Sequence, residues 1–342
     1  MEVLLGKTLL ELQAVAQEVG LPRFAGKQLA EWIYVRRATS FDEMTNISLK
    51  GREALKARYN IGRHAPVAEA ISKDGTKKYL FRVSNSEAIY IESVYIPDDD
   101  RATLCVSTQA GCKMGCKFCM TGTLGFHGHL SAAEILNQIF SIPDSDKLTN
   151  IVYMGEGEPM DNLDNVLRSL EVMTAAWACA WSPKRITVSS VGVNKGLKRF
   201  IEESECHLAI SLHNPFSIER QEIMPIEKAN RLNDVIALIK QYDWCHQRRV
   251  SFEYICWGGV NDTPKHANEL LRLLKGLDYR INLIRFHAGV NQDFPGSNEQ
   301  QMEWLRNYLT ERGITTTIRR SRGEDILAAC GMLVNALQSD KR

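Results

Sequence analysis

Gly111-Cys112-Lys113-Met114-Gly115-Cys116-Lys117-Phe118-Cys119 comes directly after residues 102–108, an apolar run that reads as a strand. Its Cys-x3-Cys-x2-Cys spacing offers three thiolates to one centre and no fourth. Three soft ligands suit a cubic iron–sulfur cluster with one iron left open, where a small molecule can bind and take an electron. Zinc is the competing reading. It prefers paired Cys-x2-Cys or Cys/His groups with a closed fourth position, which His127 or His129 could fill.

From residue 102 onward, strand-like and helix-like segments alternate. Strands are expected at 102–108, 150–154, 185–190, 207–212, 249–256 and 280–285. Helices are expected near 131–142, 162–177, 194–203, 231–246, 264–275 and 298–312. Six strand–helix units predict an α/β fold with a parallel sheet, open or closed into a partial barrel. Function in such folds gathers at the C-terminal ends of the strands, and the cysteine loop leaves the first of them. Upstream, residues 1–60 have helical periodicity, with Leu9, Leu10, Leu12, Val15 and Val19 recurring at helical spacing. Lys73-Asp74-Gly75-Thr76 marks a hairpin turn, and Ala88 to Ile96 adds a third strand before Pro97-Asp98-Asp99-Asp100 breaks the chain. Downstream, Ile314 to Arg319 reads as a last strand, followed by Arg320-Ser321-Arg322-Gly323 and a helical stretch carrying Cys330. The expected division is an accessory domain over 1–97, a core over 98–320 and a C-terminal segment over 321–342.

Bulk properties narrow the class. The chain has 342 residues, 44% hydrophobic and 24% charged, as in an ordinary globular protein. No apolar run approaches the roughly 18 residues of a membrane span, and the N-terminus lacks a basic n-region and a cleavage site. Nine cysteines, clustered around a ligand spacing, predict a reducing cytoplasm rather than a disulfide framework. The net charge is +1, so any surface for a polyanion must be local. Residues 1–90 hold 14 Lys/Arg against 10 Asp/Glu, which is equally the composition of a solvated mixed-charge face.

The strand ends carry the remaining candidates. Gly157 and Glu158, in Met154-Gly155-Glu156-Gly157-Glu158-Pro159, offer close backbone approach and a carboxylate for an ammonium group, although a plain strand-to-helix turn uses the same residues. Ser189, and Ser211-Leu212-His213, offer small polar groups for a carboxylate or a ribose, and would serve equally as local caps. Cys105 and Cys330 lie far apart in sequence, and an inert buried thiol is the ordinary role of each.

The cysteine loop together with Thr103-Leu104-Cys105-Val106-Ser107, Gly157-Glu158-Pro159, Ser211-Leu212-His213 and the tail from Arg322 through Ala328-Ala329-Cys330-Gly331 resembles the RlmN/Cfr family. These are radical S-adenosylmethionine (radical SAM) RNA adenine methyltransferases. The resemblance runs from about residue 20 to about residue 335, and the pairing of the tail with the Leu-Cys strand carries most of its specificity. It implies a partial (β/α)6 radical SAM barrel with a small helical and β-hairpin accessory domain that binds RNA. It implies a 4Fe–4S cluster on Cys112, Cys116 and Cys119, and two molecules of S-adenosylmethionine per turnover. One methylates Cys330. The other is cleaved to a radical that activates that methyl group for attack on an adenine ring carbon, a C–H position too weakly nucleophilic for ordinary transfer. Glu92 matches the family glutamate that removes the ring proton. Cys105 then attacks Cys330, releasing product and leaving a disulfide.

The implied partners are 23S ribosomal RNA, transfer RNA as a second substrate, a flavodoxin- or ferredoxin-like reductant and a thiol reductant. Gly157-Glu158-Pro159 points to the branch that methylates adenine C2, while Arg285 is shared with the antibiotic-resistance branch that methylates C8. His287 stands where the family has an asparagine that contacts S-adenosylmethionine, and the stretch Pro295-Gly296-Ser297-Asn298 is shorter than usual. A non-catalytic cluster- or zinc-bearing RNA-binding module is the alternative from another class, and it predicts no cleavage of S-adenosylmethionine.

Overall fold

Thr8 opens the first helix, α1 (Leu9–Glu18), with a capping box: its hydroxyl accepts from the Glu11 amide while the Glu11 carboxylate accepts from its own. Helix α2 (Ala25–Ala30) runs on into a π turn, and α3 (Leu49–Arg58) follows, so the helical periodicity of the N-terminus is realised. A short parallel pairing of Glu2–Val3 with Tyr59–Asn60 ties the ends of this unit together. The structure is a computed structural model that describes residues 1–84, 86, 88–244, 248–287 and 294–333.

Among the described residues, ten strands form one sheet whose spatial order follows the chain. They are β1 (Ala68–Ile71), β2 (Lys77–Arg82), β3 (Tyr90–Asp98), β4 (Arg101–Cys105), β5 (Asn150–Tyr153), β6 (Ile186–Ser190), β7 (His207–Ser211), β8 (Val250–Cys256), β9 (Tyr279–Arg285) and β10 (Thr315–Ile318). Strands β1 to β4 are antiparallel neighbours; β4 to β10 are all parallel. Between successive parallel strands lie α4 (Ala132–Ser141), α5 (Leu163–Thr174), α6 (Asn194–Glu203), α7 (Leu232–Ile239), α8 (Pro264–Leu273) and α9 (Glu299–Thr310). Each turns an apolar stripe to the sheet, as with Leu163, Val166, Leu170 and Met173 of α5. Among the described residues no helix is long and apolar enough to cross a membrane.

Three details differ from the sequence expectation. The division placed at residue 97 falls within β3, and β3 is hydrogen-bonded to β4, so the hairpin extends the barrel sheet rather than standing apart from it. The helix expected over 231–246 ends at Ile239, and residues 245 and 246 lie outside the described ones. The stretch carrying Cys330 is not helical beyond one turn at Glu324–Ile326, because Gly323, Leu327 and Gly331 all take positive φ. Residues 334–342 of the expected C-terminal segment lie outside the described ones.

Strand register fixes what faces inward. Paired residues share a face, and alternate residues along a strand share it too. Cys105 pairs with Val152, Val152 with Thr187, Ser189 with Ala209, Ser211 with Glu253, and Glu253 with Asn282. These residues form the concave face of the barrel, which is unusually polar for a sheet interior.

Candidate active site

The cysteine loop hangs from a two-stranded turn, Gln109–Gly111 against Phe126–His129. Gly111 has φ +71°, and a Cβ there would lie 1.9 Å from the Gly125 carbonyl oxygen, so no other residue fits. The Cys112 amide donates to that carbonyl at 2.9 Å. Asp161 steadies the loop by accepting from Gln109 at 2.8 Å and pairing with Lys113 at 3.0 Å. Burial pushes the Cys112 thiol up to about 12 and raises Cys116 and Cys119 as well; the mutual charges of the three thiols add to the rise at Cys112 and Cys116. Left alone, these sulfurs stay protonated.

Glu158 does not present its carboxylate to a ligand as the sequence expectation had it. It accepts from the Met160 amide at 3.0 Å and the Val191 amide at 2.9 Å, joining the loops after β5 and β6. Burial pushes its pKa up to about 7. Gly157, at φ +96°, lies so close to Gln109 that a Cβ would meet that side chain at 2.5 Å.

Ser189 and Ser211 both lie on the concave face, in register with residues facing the thiols. The carbonyls of Ser211, Leu212 and Val191 all accept from Arg220, a fully buried guanidinium paired with Glu227. His213 takes φ +57°, and its Nδ1 accepts from the Ile255 amide at 3.1 Å. Burial, helped by Arg220, lowers its pKa to about 3, so the ring is neutral and its proton sits on Nε2. That ring packs edge-on against Phe118 of the cysteine loop, with 4.9 Å between centroids. Ser211-Leu212-His213 therefore shapes the wall behind the cysteine loop.

Beneath the loop, a cavity of about 520 Å³ fills the barrel and is lined by both Cys105 and Cys330. Cys105 ends β4, opposite Val94. Burial, and then the charge of Cys330, push its thiol up to about 12, while Arg319 favours the thiolate. Arg319 bonds Glu253 at 3.3 Å and touches the Met154 sulfur at 3.6 Å. Cys330 is exposed, on a segment that crosses from the end of β10 to the hairpin. Asp74 accepts from the Gly323 amide at 3.0 Å, Ser72 donates to Asp325 at 2.5 Å, and Arg322 pairs with Asp98 at 3.0 Å. At its far end this segment reaches the cysteine loop, where the Met120 amide donates to the Gly331 carbonyl and the Thr121 hydroxyl to that of Leu333.

Glu92 is buried in β3 and pairs with Lys78 at 3.0 Å. Its amide donates to Glu156, whose pKa burial pushes up to about 8, with the Glu92 charge adding. His287 turns toward Ser321 and, at 3.5 Å, Glu324, and so faces the segment that carries Cys330. Its neighbour Ala288 lies outside the described residues.

Residues 3–61 match the Ribosomal RNA large subunit methyltransferase N-terminal domain, and residues 106–274 match the Radical SAM superfamily. A probable dual-specificity RNA methyltransferase RlmN of Bacteroides fragilis is 59% identical over 337 residues, covering 98% of this chain and 97% of its own. The chain belongs to the RlmN family of radical SAM RNA methyltransferases. A dual-specificity RNA methyltransferase RlmN of Marinobacter nauticus is 39% identical over 99% of the chain and 94% of its own. The crystal structure of a radical SAM methyltransferase from Sphaerobacter thermophilus superposes with a TM-score of 0.90 at 35% identity, covering 97% of this chain and 99% of that one.

Radical SAM enzymes use a 4Fe–4S cluster and S-adenosylmethionine, and the donor set here fits the cluster. Among the described residues, no three His, Cys, Asp or Glu side chains converge as the ligands of a single ion would. A cubic cluster asks something else, one thiolate on each of three irons, and three neighbouring thiols of one loop, close enough for Cys112 and Cys119 to act on Cys116, suit it. The residues that sequence reasoning missed are Lys78, Arg220, Glu253 and Arg319. Each is an ordinary charged residue in the sequence, and only the fold brings it to its partner.

Proposed function

We propose that this RlmN-family enzyme methylates C2 of an adenosine in 23S ribosomal RNA, with transfer RNA as a second substrate. The observation that supports it best is the meeting of Cys105 and Cys330 in one cavity under the cysteine loop, 225 residues apart in sequence. Cys112, Cys116 and Cys119 would hold the cluster, which with S-adenosylmethionine would supply the radical chemistry that an unactivated aromatic C–H demands. Two molecules of S-adenosylmethionine would be used per turnover, one for that chemistry and one as the methyl donor. The protein's own residues do the rest.

Cys330 loses its thiol proton and carries the methyl carbon to the adenine. Glu92, held beside Lys78, takes the C2 proton. Cys105, with Arg319 favouring its thiolate, attacks the Cys330 sulfur: the S–S bond forms, the bond from sulfur to the transferred carbon breaks with its electron pair on carbon, that carbon takes up a proton, and methylated base leaves. An external thiol reduces the disulfide, and a flavodoxin- or ferredoxin-like protein supplies the electrons. The N-terminal helical unit serves as the accessory RNA-binding part, and the target base is unstacked to enter the barrel. Gly157-Glu158-Pro159 supports C2 over C8, although Arg285, here paired with Glu299 at 2.8 Å, is shared with the C8 branch.

The test is anaerobic reconstitution with iron and sulfide, then incubation with reductant, methyl-labelled S-adenosylmethionine and unmodified 23S RNA. The expected products are 2-methyladenosine and 5′-deoxyadenosine. Methylation at C8 alone would overturn the regiochemistry, and 5′-deoxyadenosine without methylated RNA would overturn the substrate.

A further inference from the structure

The cavity that holds the two thiols has a second end. The seven parallel strands all start there, and cations cluster at their starts. Arg101 opens β4, Lys184 and Arg185 immediately precede β6, Arg249 immediately precedes β8, and Arg280 is the second residue of β9. All five are exposed, and all five line the cavity that reaches Cys105 and Cys330.

None of these five side chains has an ion-pair or hydrogen-bond partner among the described residues. The two carboxylates lining the same cavity are already engaged, Asp98 by Arg322 and Glu253 by Arg319. The rim is therefore a patch of net positive charge, in which the one carboxylate acting on Arg249 is Glu253, itself already paired with Arg319. His207, which starts β7, registers it: burial first, then Arg249, Lys184, Arg248 and Arg280, lower its pKa to about 4. Unpaired cations within a Debye length repel one another, and a polyanion relieves that repulsion. Four of the five are arginines, whose forked guanidinium matches phosphate oxygens.

The opposite end of the barrel is covered. Phe118, Met224, Ile255, Trp257 and Phe286 pack there into an apolar cluster against the cysteine loop. A nucleotide has a charged doorway at one end and an apolar roof at the other.

We propose that RNA docks on the strand-start face of the barrel, and that Arg101, Lys184, Arg185, Arg249 and Arg280 hold the phosphates flanking the target adenosine while its base passes inward to the thiols. This rests on the RNA methyltransferase reading and adds the face of entry and the residues that hold the backbone. It also accounts for a near-neutral chain acting on a polyanion: the charge is concentrated by folding rather than by composition.

The experiment uses the reconstituted full chain and a fragment of 23S ribosomal RNA containing the methylated site. Binding is measured by anisotropy across a salt series for wild type, Lys184→Glu/Arg185→Glu, Arg249→Glu/Arg280→Glu, and, as a control, Lys265→Glu, an exposed cation in the first turn of α8 at the strand-end side. Each double reversal is expected to weaken binding at least about tenfold and to reduce the slope of log affinity against log salt by roughly 0.7 for each phosphate no longer neutralised. Lys265→Glu and the RNA-free cleavage of S-adenosylmethionine are expected to match wild type. As a second measurement that needs no variant, 4-thiouridine beside the target adenosine is expected to cross-link to peptides containing residues 184–185 or 249. Wild-type methylation with unchanged affinity and slope in both reversals, or cross-links only to other faces, overturns the proposal and leaves the enzyme's function standing. A wild-type protein that neither binds nor methylates the RNA overturns both.

Discussion

Lys78 and Glu92 form a buried ion pair on neighbouring strands, close to a second carboxylate, Glu156. Burial and then the charge of Glu92 raise the Glu156 carboxyl, and Lys78 opposes them. Lys78→Met leaves Glu92 without its paired cation and is expected to lower the rate of methylation roughly a hundredfold or more, with Lys78→Arg recovering most of it; an unchanged rate would separate Lys78 from the proton transfer. At the thiols, Cys105→Ala is expected to accumulate protein covalently bound to RNA, visible as a shifted band on a denaturing gel. Cys330→Ala is expected to abolish methylation while S-adenosylmethionine is still cleaved. Histidines set the acid limit of the fold. His213 and His207 have folded pKa values of about 3 and about 4, below the usual 6.5. A base whose folded pKa is depressed gives stability that is present above 6.5 and lost as pH falls toward the folded value. Glu156 and Glu158, raised by burial to about 8 and about 7, act in the opposite sense between pH 7 and 5, so the histidine contribution is read by difference in urea unfolding. His213→Asn, which tolerates the positive φ, is expected to lose less stability than wild type from pH 7 to 5, by about one proton's worth of slope.

At the scale of elements, the hairpin turn Ser72 to Thr76 works as a clasp for the segment that carries Cys330. Ser72 and the Lys73 amide hold Asp325, while Asp74 holds the Gly323 amide. The Asp74 carboxyl sits at about 2: burial opposes this, but bonds from Thr76, Gly323 and Ser72 outweigh it. Asp325→Ala is expected to slow methylation about a hundredfold by misplacing the sulfur, with RNA-free cleavage of S-adenosylmethionine unchanged; single-turnover kinetics would show it. The strands of this architecture were legible in the sequence because alternation and the Gly/Pro breaks between segments are local signals. The clasp was not. Lys73-Asp74-Gly75-Thr76 announces a turn, but its partners lie some 250 positions away, and nothing local in Asp325 points back to it. The three cluster cysteines were legible for the converse reason: their spacing is itself the ligand geometry. Arg220 was invisible, since an arginine in a short helix looks like a surface residue until three carbonyls at the ends of β6 and β7 converge on it.

Over the whole molecule, the N-terminal helices and the barrel meet through few polar contacts. Asn137 of α4 is central: it accepts from the His64 amide at 2.8 Å and donates to the His64 carbonyl at 3.0 Å. Arg63 beside it reaches the carbonyls of Arg37 and Phe140. Asn137→Ala strands a backbone donor and acceptor and is expected to cost about 1–3 kcal/mol. Calorimetry is expected to show the lowered transition, and its broadening into two would mark the joint as the weakest seam. The cationic rim also belongs to this scale. Residues 1–90 carry a charge excess that composition reveals, whereas the rim is drawn from four separate stretches between 101 and 280 and exists only after closure of the barrel.

The tether of Cys330 bears on how the enzyme depends on its surroundings. Only eleven peptide bonds separate it from Arg319, which is anchored at the last strand. The two sulfurs thus see each other at an effective concentration on the order of millimolar, whatever the thiol content of the medium. On the proposed mechanism, product release is expected to be first-order and internal to the protein; the cell's redox poise would enter afterward, as a toll on resetting the enzyme rather than on the chemistry.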